Sequence, residues 1–217
     1  MLTRMLVYLS IVAAISVISV TSSLADSAPY SARRLIENVI EKLNPIVEQG
    51  HAYFEDDPER LYENVSDLLE TFFDFDAFAR GVMGRHFSSS SSLQRANFST
   101  ILQRSLVQTF TDGLINFGRY SVNVLSSTPL KEQSKEQSEE QSTRAKVTMQ
   151  VTSDTNARHE MTYSLVLDEN ALWRVRNLVF DGVNIGLSFR SQFYNETLNS
   201  AGNIEDVINN WKINIDQ

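Results

Sequence analysis

The sequence predicts an α+β fold, in which an antiparallel four-stranded β-meander is covered on one face by helices N-terminal and C-terminal to the sheet. Up to about residue 117, apolar residues recur at three- and four-residue steps, which is typical of amphipathic helices. From residue 120 to residue 180 they alternate with polar residues or form short β-branched and aromatic runs, which is typical of strands. Helical spacing returns after Gly182. Helices and strands segregated in this way along a chain indicate an α+β domain.

The first 25 residues have the three parts of a secretory signal peptide. Arg4 provides the basic start, residues 5–20 form an apolar run, and Ser23 and Ala25 are the small residues that a signal peptidase accepts. The alternative is an uncleaved membrane anchor, but the run is shorter than the about 20 apolar residues that span a bilayer. We therefore expect residues 1–25 to be removed and residues 26–217 to be exported as a single domain.

The composition argues against some classes of binding partner. The chain of 217 residues has 27 acidic and 19 basic residues and a formal net charge of −8. An acidic surface argues against nucleic acid or a bare anionic membrane held by charge attraction alone. The chain has no cysteine, so an exported domain of this sequence depends on its core and not on disulfides.

Four helices are predicted before the sheet. The first runs from Ser31 to about Gly50, with Pro45 predicting a kink or an early break. Asp57 and Pro58 begin the second, as an N-cap followed by proline at the first helical position.

The third helix is short and the fourth is the longest. Asp74 or Asp76 opens the third and Gly84 ends it, within residues 72–84. A serine run at 88–92 connects it to the fourth helix, at about 93–117, and its last serine is expected to be the cap.

Four strands and two terminal helices follow. The predicted strands cover residues 120–125, 145–151, 161–167 and 173–180, and the last two are joined by a tight turn at 168–170. The repeated tetrapeptide at 131–142 contains nothing that can be buried and is predicted to be a solvated hairpin insertion. After a turn at 181–183, one helix is expected up to Gly202 and a last short helix up to Trp211.

No catalytic or cofactor motif is present. The three histidines His51, His86 and His159 form no metal-binding spacing, and neither a phosphate-binding loop nor a dinucleotide fingerprint occurs. Asp74 and Asp76 would point to different faces of a helix and are interpreted as caps. We therefore expect no enzyme activity, no cofactor and no metal.

Three segments carry a resemblance to a known family, and one of them is the predicted helix from Gln94 to Phe117, which follows the first motif below. Residues 72–87, FFDFDAFARGVMGRHF, resemble its aromatic-Asp-Phe segment followed by Gly-x-x-aromatic. Residues 173–193, WRVRNLVFDGVNIGLSFRSQF, match its W-x-V-x-[DN] stretch, which ends in R-x-Q-F. The family is the MlaC-like, toluene-tolerance group of periplasmic lipid carriers, and the likeness covers nearly all of residues 26–217. Asn184 differs, since the family usually has serine after Gly-Val at this point.

The resemblance implies a periplasmic phospholipid-binding carrier. Such a carrier moves lipid between an outer-membrane lipoprotein complex and an inner-membrane ABC transporter, and so maintains the lipid asymmetry of the outer membrane. The ligand would be a phospholipid, or a hopanoid as in a related branch, and a monomer is expected. Two acyl chains of roughly sixteen carbons would cost about 25 kcal/mol to expose to water. The tails therefore need a dry apolar cavity. The resemblance implies that this cavity lies between sheet and helices, with the headgroup near solvent.

The candidate cavity residues are apolar positions on the third helix, the fourth helix and the sheet. They are Phe75, Phe78, Met83, Leu102, Leu106, Phe110, Val147, Met149, Val151, Tyr163, Leu165, Trp173 and Val175. For each of them ordinary core packing is the alternative. Arg190 matches an arginine of the family and could contact a headgroup or a partner, or form a salt bridge with a local acid.

Two other functions fit the same predicted fold. One is a small cone-shaped isomerase or dehydratase, which needs an acid/base group in the cavity, and His86 and Asp74 are the candidates for that role. The other is an adaptor with a solid core that only bridges membrane complexes.

Overall fold

The computed structural model describes residues 31–118, 120–130 and 143–213. The predicted signal peptide at 1–25 and the repeated insertion at 131–142 lie outside these residues. The described elements are α1 (Ala32–Gly50), α2 (Pro58–Glu70), α3 (Phe75–Met83), a 3₁₀ turn (Gly84–His86), α4 (Ser92–Phe117), β1 (Tyr120–Pro129), β2 (Arg144–Ser153), β3 (Arg158–Leu167), β4 (Trp173–Phe180), β5 (Val183–Asn184), α5 (Ile185–Asn199) and α6 (Ile204–Asn209). Helices flank an antiparallel sheet, so the predicted α+β class is confirmed.

Helix α1 does not break at its proline. Ser31 caps it by accepting a hydrogen bond from the Arg34 N–H at 3.1 Å, and the helix continues past Pro45 to Gly50. The predicted early break was therefore wrong. Leu43 and Val47 on either side of the proline are buried in the core, and this packing outweighs the one hydrogen bond that proline removes.

Side-chain caps fix the starts of the next three helices. Asp57 caps α2 at 3.3 Å and Asp74 caps α3 at 2.9 Å. Helix α4 is capped by Ser91, one residue before the serine that was predicted to cap it. The reason is reciprocal bonding, because the Gln94 side chain also accepts from the Ser91 N–H at 2.9 Å and completes a capping box.

The sheet is a meander with the strand order β1-β2-β3-β4-β5. The four predicted strands are present. A fifth, of two residues, pairs Val183 with Phe180 and Asn184 with Val179. Two residues are too few to show a period, so the sequence did not reveal this strand. Helix α5 ends at Asn199, and its closing turn reaches Gly202, whose N–H donates to the Thr197 carbonyl at 2.8 Å.

The buried apolar residues form two clusters. The sheet cluster combines α1, α2, the second half of α4 and the inner face of β2–β4. The helix cluster combines α3, the first half of α4, α5 and α6, with Phe98 and Phe193 fully buried at its centre. Phe73 packs against both clusters. Helix α4 therefore holds the two halves of the domain together.

Candidate functional site

The inner face of the sheet is lined almost entirely by apolar side chains, because apolar residues occupy the strand positions that point to this face. Across the strands, Val147 of β2 lies opposite Tyr163 of β3, which lies opposite Leu178 of β4. A parallel row joins Ala145, Leu165 and Val175. Residues at alternate positions share a face, so these two rows present one continuous apolar surface to the helices.

Tyr163 lies in the middle of this surface and is only partly buried. Its same-face neighbours on β3, Met161 and Leu165, are buried, and so is Val147 opposite it. Tyr163 and the paired Leu178 nevertheless keep accessible surface. We call this accessible point the central opening, defined by Tyr163 and Leu178.

The Tyr163 hydroxyl, at the central opening, is surrounded by protein. Burial raises the pKa of Tyr163 well above its ordinary value of 10.0. The hydroxyl has no hydrogen-bond partner within the described ranges 31–118, 120–130 and 143–213. Tyr163 is therefore surrounded by protein and still keeps part of its surface accessible.

The helices above the sheet are also incompletely buried at this level. Phe110, Leu114 and Ile115 of α4 pack against the sheet cluster but remain partly accessible, as do Val39 and Ile46 of α1. Apolar side chains with residual exposure on both layers are the expected lining of a gap between them.

The thirteen predicted cavity residues divide between the two clusters. Those of the sheet cluster are Val147, Met149, Leu165, Trp173 and Val175, with Phe110, Val151 and Tyr163 partly buried against them. Those of the helix cluster are Phe78, Met83 and Leu102, with Leu106 partly buried against them. Phe75 is buried and its ring centroid lies 4.7 Å from that of Phe73. The structure thus brings the predicted sheet residues and Phe110 together in the sheet cluster. It places Phe78, Met83, Leu102 and Leu106 in or against the helix cluster instead.

A separate cleft opens on the surface between α3, the 3₁₀ turn and α5. It has a volume of about 650 Å³ and is lined by Ala77, Arg80, Gly81, Met83, Gly84, Arg85, His86, Arg190 and Tyr194. We call it the arginine cleft. The Arg190 Nε donates to the Gly81 carbonyl at 2.6 Å, and none of the described carboxylates forms an ion pair with this side chain. A backbone carbonyl, not the local acid considered from sequence, therefore orients Arg190.

The two residues considered for acid/base chemistry have other positions. Asp74 caps α3 and forms an ion pair with Arg176 at 3.0 Å. His86 lies in the arginine cleft, where burial and the neighbouring Arg85 lower its pKa.

Asn184 shows what replaces the serine that is usual after Gly-Val. Its Oδ1 accepts from the Leu187 N–H at 3.0 Å and caps α5. The same oxygen accepts from the Asn177 Nδ2 at 3.0 Å, and the Asn177 Oδ1 accepts from the Gly186 N–H at 3.1 Å. A Cβ at Gly186 would lie 2.5 Å from that Asn177 oxygen, so a larger residue here would have to displace the Asn177 carboxamide.

The described residues contain neither a cluster that could bind a metal ion nor a helix that could span a membrane. Within them, no group of three or more histidine, aspartate or glutamate side chains could hold a metal ion. None of the described helices combines the length and the apolar character needed to cross a bilayer.

These features define a class of protein, a small α+β domain whose helices cover an apolar and partly accessible sheet face. Residues 37–213 match the family model described as MlaC protein, and the chain belongs to this family. The resemblance found in the sequence is thereby confirmed.

Two similar proteins agree with this assignment. Over 161 residues the chain is 26% identical to the toluene tolerance protein ttg2D of Pseudomonas putida, covering 73% of this chain and 69% of that protein. A phospholipid-binding protein from Ralstonia solanacearum, solved in complex with a phospholipid, superposes with a TM-score of 0.67. At 15% identity, this match covers 82% of the present chain and 93% of the other and shows a shared fold.

Sequence reasoning missed several residues of these sites. Leu178 lines the central opening, but the β3–β4 register shifts between Ser164 and Leu165, and this irregularity obscures the alternation on β4. Arg80 and Arg85 lie in the arginine cleft with Arg190, which is more than a hundred residues away in the sequence. Only the packing of α3 against α5 brings these arginines together.

Proposed function

We propose that this protein is a periplasmic carrier that binds a phospholipid with its acyl tails between the sheet and helices α1 and α4. The observation that carries this proposal is the accessible surface of Tyr163 and Leu178 beside buried residues of the same apolar face. Membership of the MlaC family and the phospholipid complex of the Ralstonia solanacearum protein support the same ligand class.

The tails would occupy the central opening and extend along the apolar inner face. Of the predicted residues, those of the sheet cluster are the proposed tail contacts: Phe110, Val147, Met149, Val151, Tyr163, Leu165, Trp173 and Val175. Phe75, Phe78, Met83, Leu102 and Leu106 then support the second cluster beside the site. Met149 and Met161 are flexible apolar side chains that can adjust to tails of different length.

Transport follows from the energetics of the tails. A bilayer and the carrier both keep the tails dry, so the difference in free energy between the two sites is small compared with the about 25 kcal/mol of full exposure. Loading and release then need no covalent chemistry. Direction would come from the partners, an outer-membrane lipoprotein complex and an inner-membrane ABC transporter, which act on an exported, monomeric single domain of residues 26–217.

Mass spectrometry of lipid bound to the purified chain tests this function. We expect an organic extract of the protein from the cell envelope to contain phospholipid in roughly equal molar amount. Leu178→Trp, which fills the central opening, should reduce the bound lipid severalfold. Val166→Trp enlarges a residue on the opposite face of the sheet and is the matched control, which should retain lipid. Wild-type protein that is free of lipid, and that takes none from vesicles, would contradict the proposal.

A further inference from the structure

The arginine cleft has an unusual charge for this chain. Three arginines line it, Arg80 from α3, Arg85 from the 3₁₀ turn and Arg190 from α5, and no acidic residue lines it. The chain as a whole has a net charge of −8. A concave site lined by one sign of charge concentrates counter-ions of the other sign, so the cleft attracts anions to an otherwise acidic protein.

Packing holds these side chains in place. The Arg190 stem lies over Gly84, where an added Cβ would be 3.4 Å from its Cδ and Nε, and its Nε donates to the Gly81 carbonyl. The Arg85 guanidinium stacks on the Tyr194 ring at 4.2 Å, and that of Arg80 lies 4.8 Å from the Phe87 centroid. Ordered guanidinium groups lose less entropy when they bind a ligand.

The donors of these groups remain available. The two terminal nitrogens of Arg190 and of Arg85 have no hydrogen-bond partner among residues 31–118, 120–130 and 143–213. By contrast, Arg174 and Arg176, on the neighbouring strand, each pair with an aspartate at 3.0 Å. The cleft therefore contains guanidinium groups with free N–H donors, and the buried Met83 also lines it.

We propose that the arginine cleft binds a phosphate group. Guanidinium forks match the geometry of phosphate oxygens and bind them in pairs of charge-assisted hydrogen bonds. The phosphate can be that of a lipid headgroup or free phosphate. The headgroup assignment rests on the proposed function, whereas the phosphate site itself does not.

Calorimetric titration with inorganic phosphate, at constant low ionic strength, tests the site. The wild type should bind phosphate, and Arg85→Gln and Arg190→Gln should each weaken binding by about tenfold, as expected for loss of one charge-assisted contact. Arg104→Gln removes the same charge from an exposed position on α4 and should bind as the wild type does. Arg85→Gln keeps the test valid if Arg190→Gln fails to fold, because Arg85 is exposed and makes no backbone bond.

A second arm identifies the source of the phosphate. Dihexanoyl phosphatidylglycerol should bind more tightly than dihexanoylglycerol, and Arg85→Gln should reduce this difference by about tenfold. Equal binding of the two would overturn the headgroup assignment and leave free phosphate as the ligand. Absence of phosphate binding by the wild type, or equal binding by all variants, would overturn the site. Long-chain lipid retained in the extract would then show that only this inference fails, and not the carrier function.

Discussion

At the scale of single residues, the structure explains a departure from the family pattern. Asn184 stands where the family resemblance led us to expect serine, and its carboxamide oxygen accepts from the Leu187 N–H and from Asn177. Asparagine and serine are about equally good N-caps. The turn after β5 therefore needs a short side chain with an acceptor oxygen and does not depend on a hydroxyl group.

This explanation predicts the effect of two substitutions at one position. Asn184→Ser should change the free energy of unfolding by less than about 0.5 kcal/mol, because serine also caps. Asn184→Ala should lose about 1 kcal/mol, because the cap and the contact with Asn177 are both lost. Urea denaturation followed by circular dichroism measures both. A serine variant as unstable as the alanine variant would contradict the role of the cap.

At the scale of secondary-structure elements, helix α4 has two different faces along its length. Its first half packs Phe98 and Leu102 into the helix cluster, where the Phe98 centroid lies 4.9 Å from that of Phe193. Its second half turns Val107 and Phe110 toward the sheet cluster. The buried Val107 and Thr111 both lie on this second half. The apolar stripe shifts by one residue where the helix passes from one cluster to the other.

The two halves of α4 should respond differently to truncation. Phe98→Ala removes a fully buried ring and should cost about 3–5 kcal/mol of stability. Phe110→Ala removes a partly accessible ring and should cost less in lipid-free protein, but should lower the amount of bound phospholipid. Thermal unfolding and lipid quantification on the same samples measure both effects. If Phe110→Ala were as destabilising as Phe98→Ala and left lipid binding intact, α4 would not have the two roles assigned here.

The sequence was sufficient for most elements and for only part of the site. Periodicity predicted the long helices and four strands because each repeats over several turns or residue pairs, and caps such as Asp57 and Asp74 fixed the starts. The division into two clusters and the grouping of Arg80, Arg85 and Arg190 depend on helix–helix packing between distant segments. No local pattern encodes these contacts, and a residue's accessibility within an apolar face, as at Tyr163, is likewise a tertiary property.

At the scale of the whole molecule, stability and binding are assigned to different parts of the domain. The helix cluster is densely aromatic, with the Trp211 ring 5.2 Å from Phe98 and 6.3 Å from Phe189. It provides a well-packed half without any disulfide, since the chain has no cysteine. The sheet cluster keeps part of its apolar surface accessible, and this is the surface that we propose binds the lipid tails.

Locating an acyl tail in the lipid-loaded protein tests most directly whether the tails lie between the sheet and helices α1 and α4. A phospholipid with a photoactivatable diazirine near the end of one acyl chain can be bound, irradiated and located by mass spectrometry of peptides. The proposed position of the tails predicts crosslinks within β3 and β4, near Tyr163 and Leu178, and within the second half of α4, all reduced severalfold by Leu178→Trp. Crosslinks confined to α6 or to the outer face of the sheet, in protein shown to contain the lipid, would contradict it.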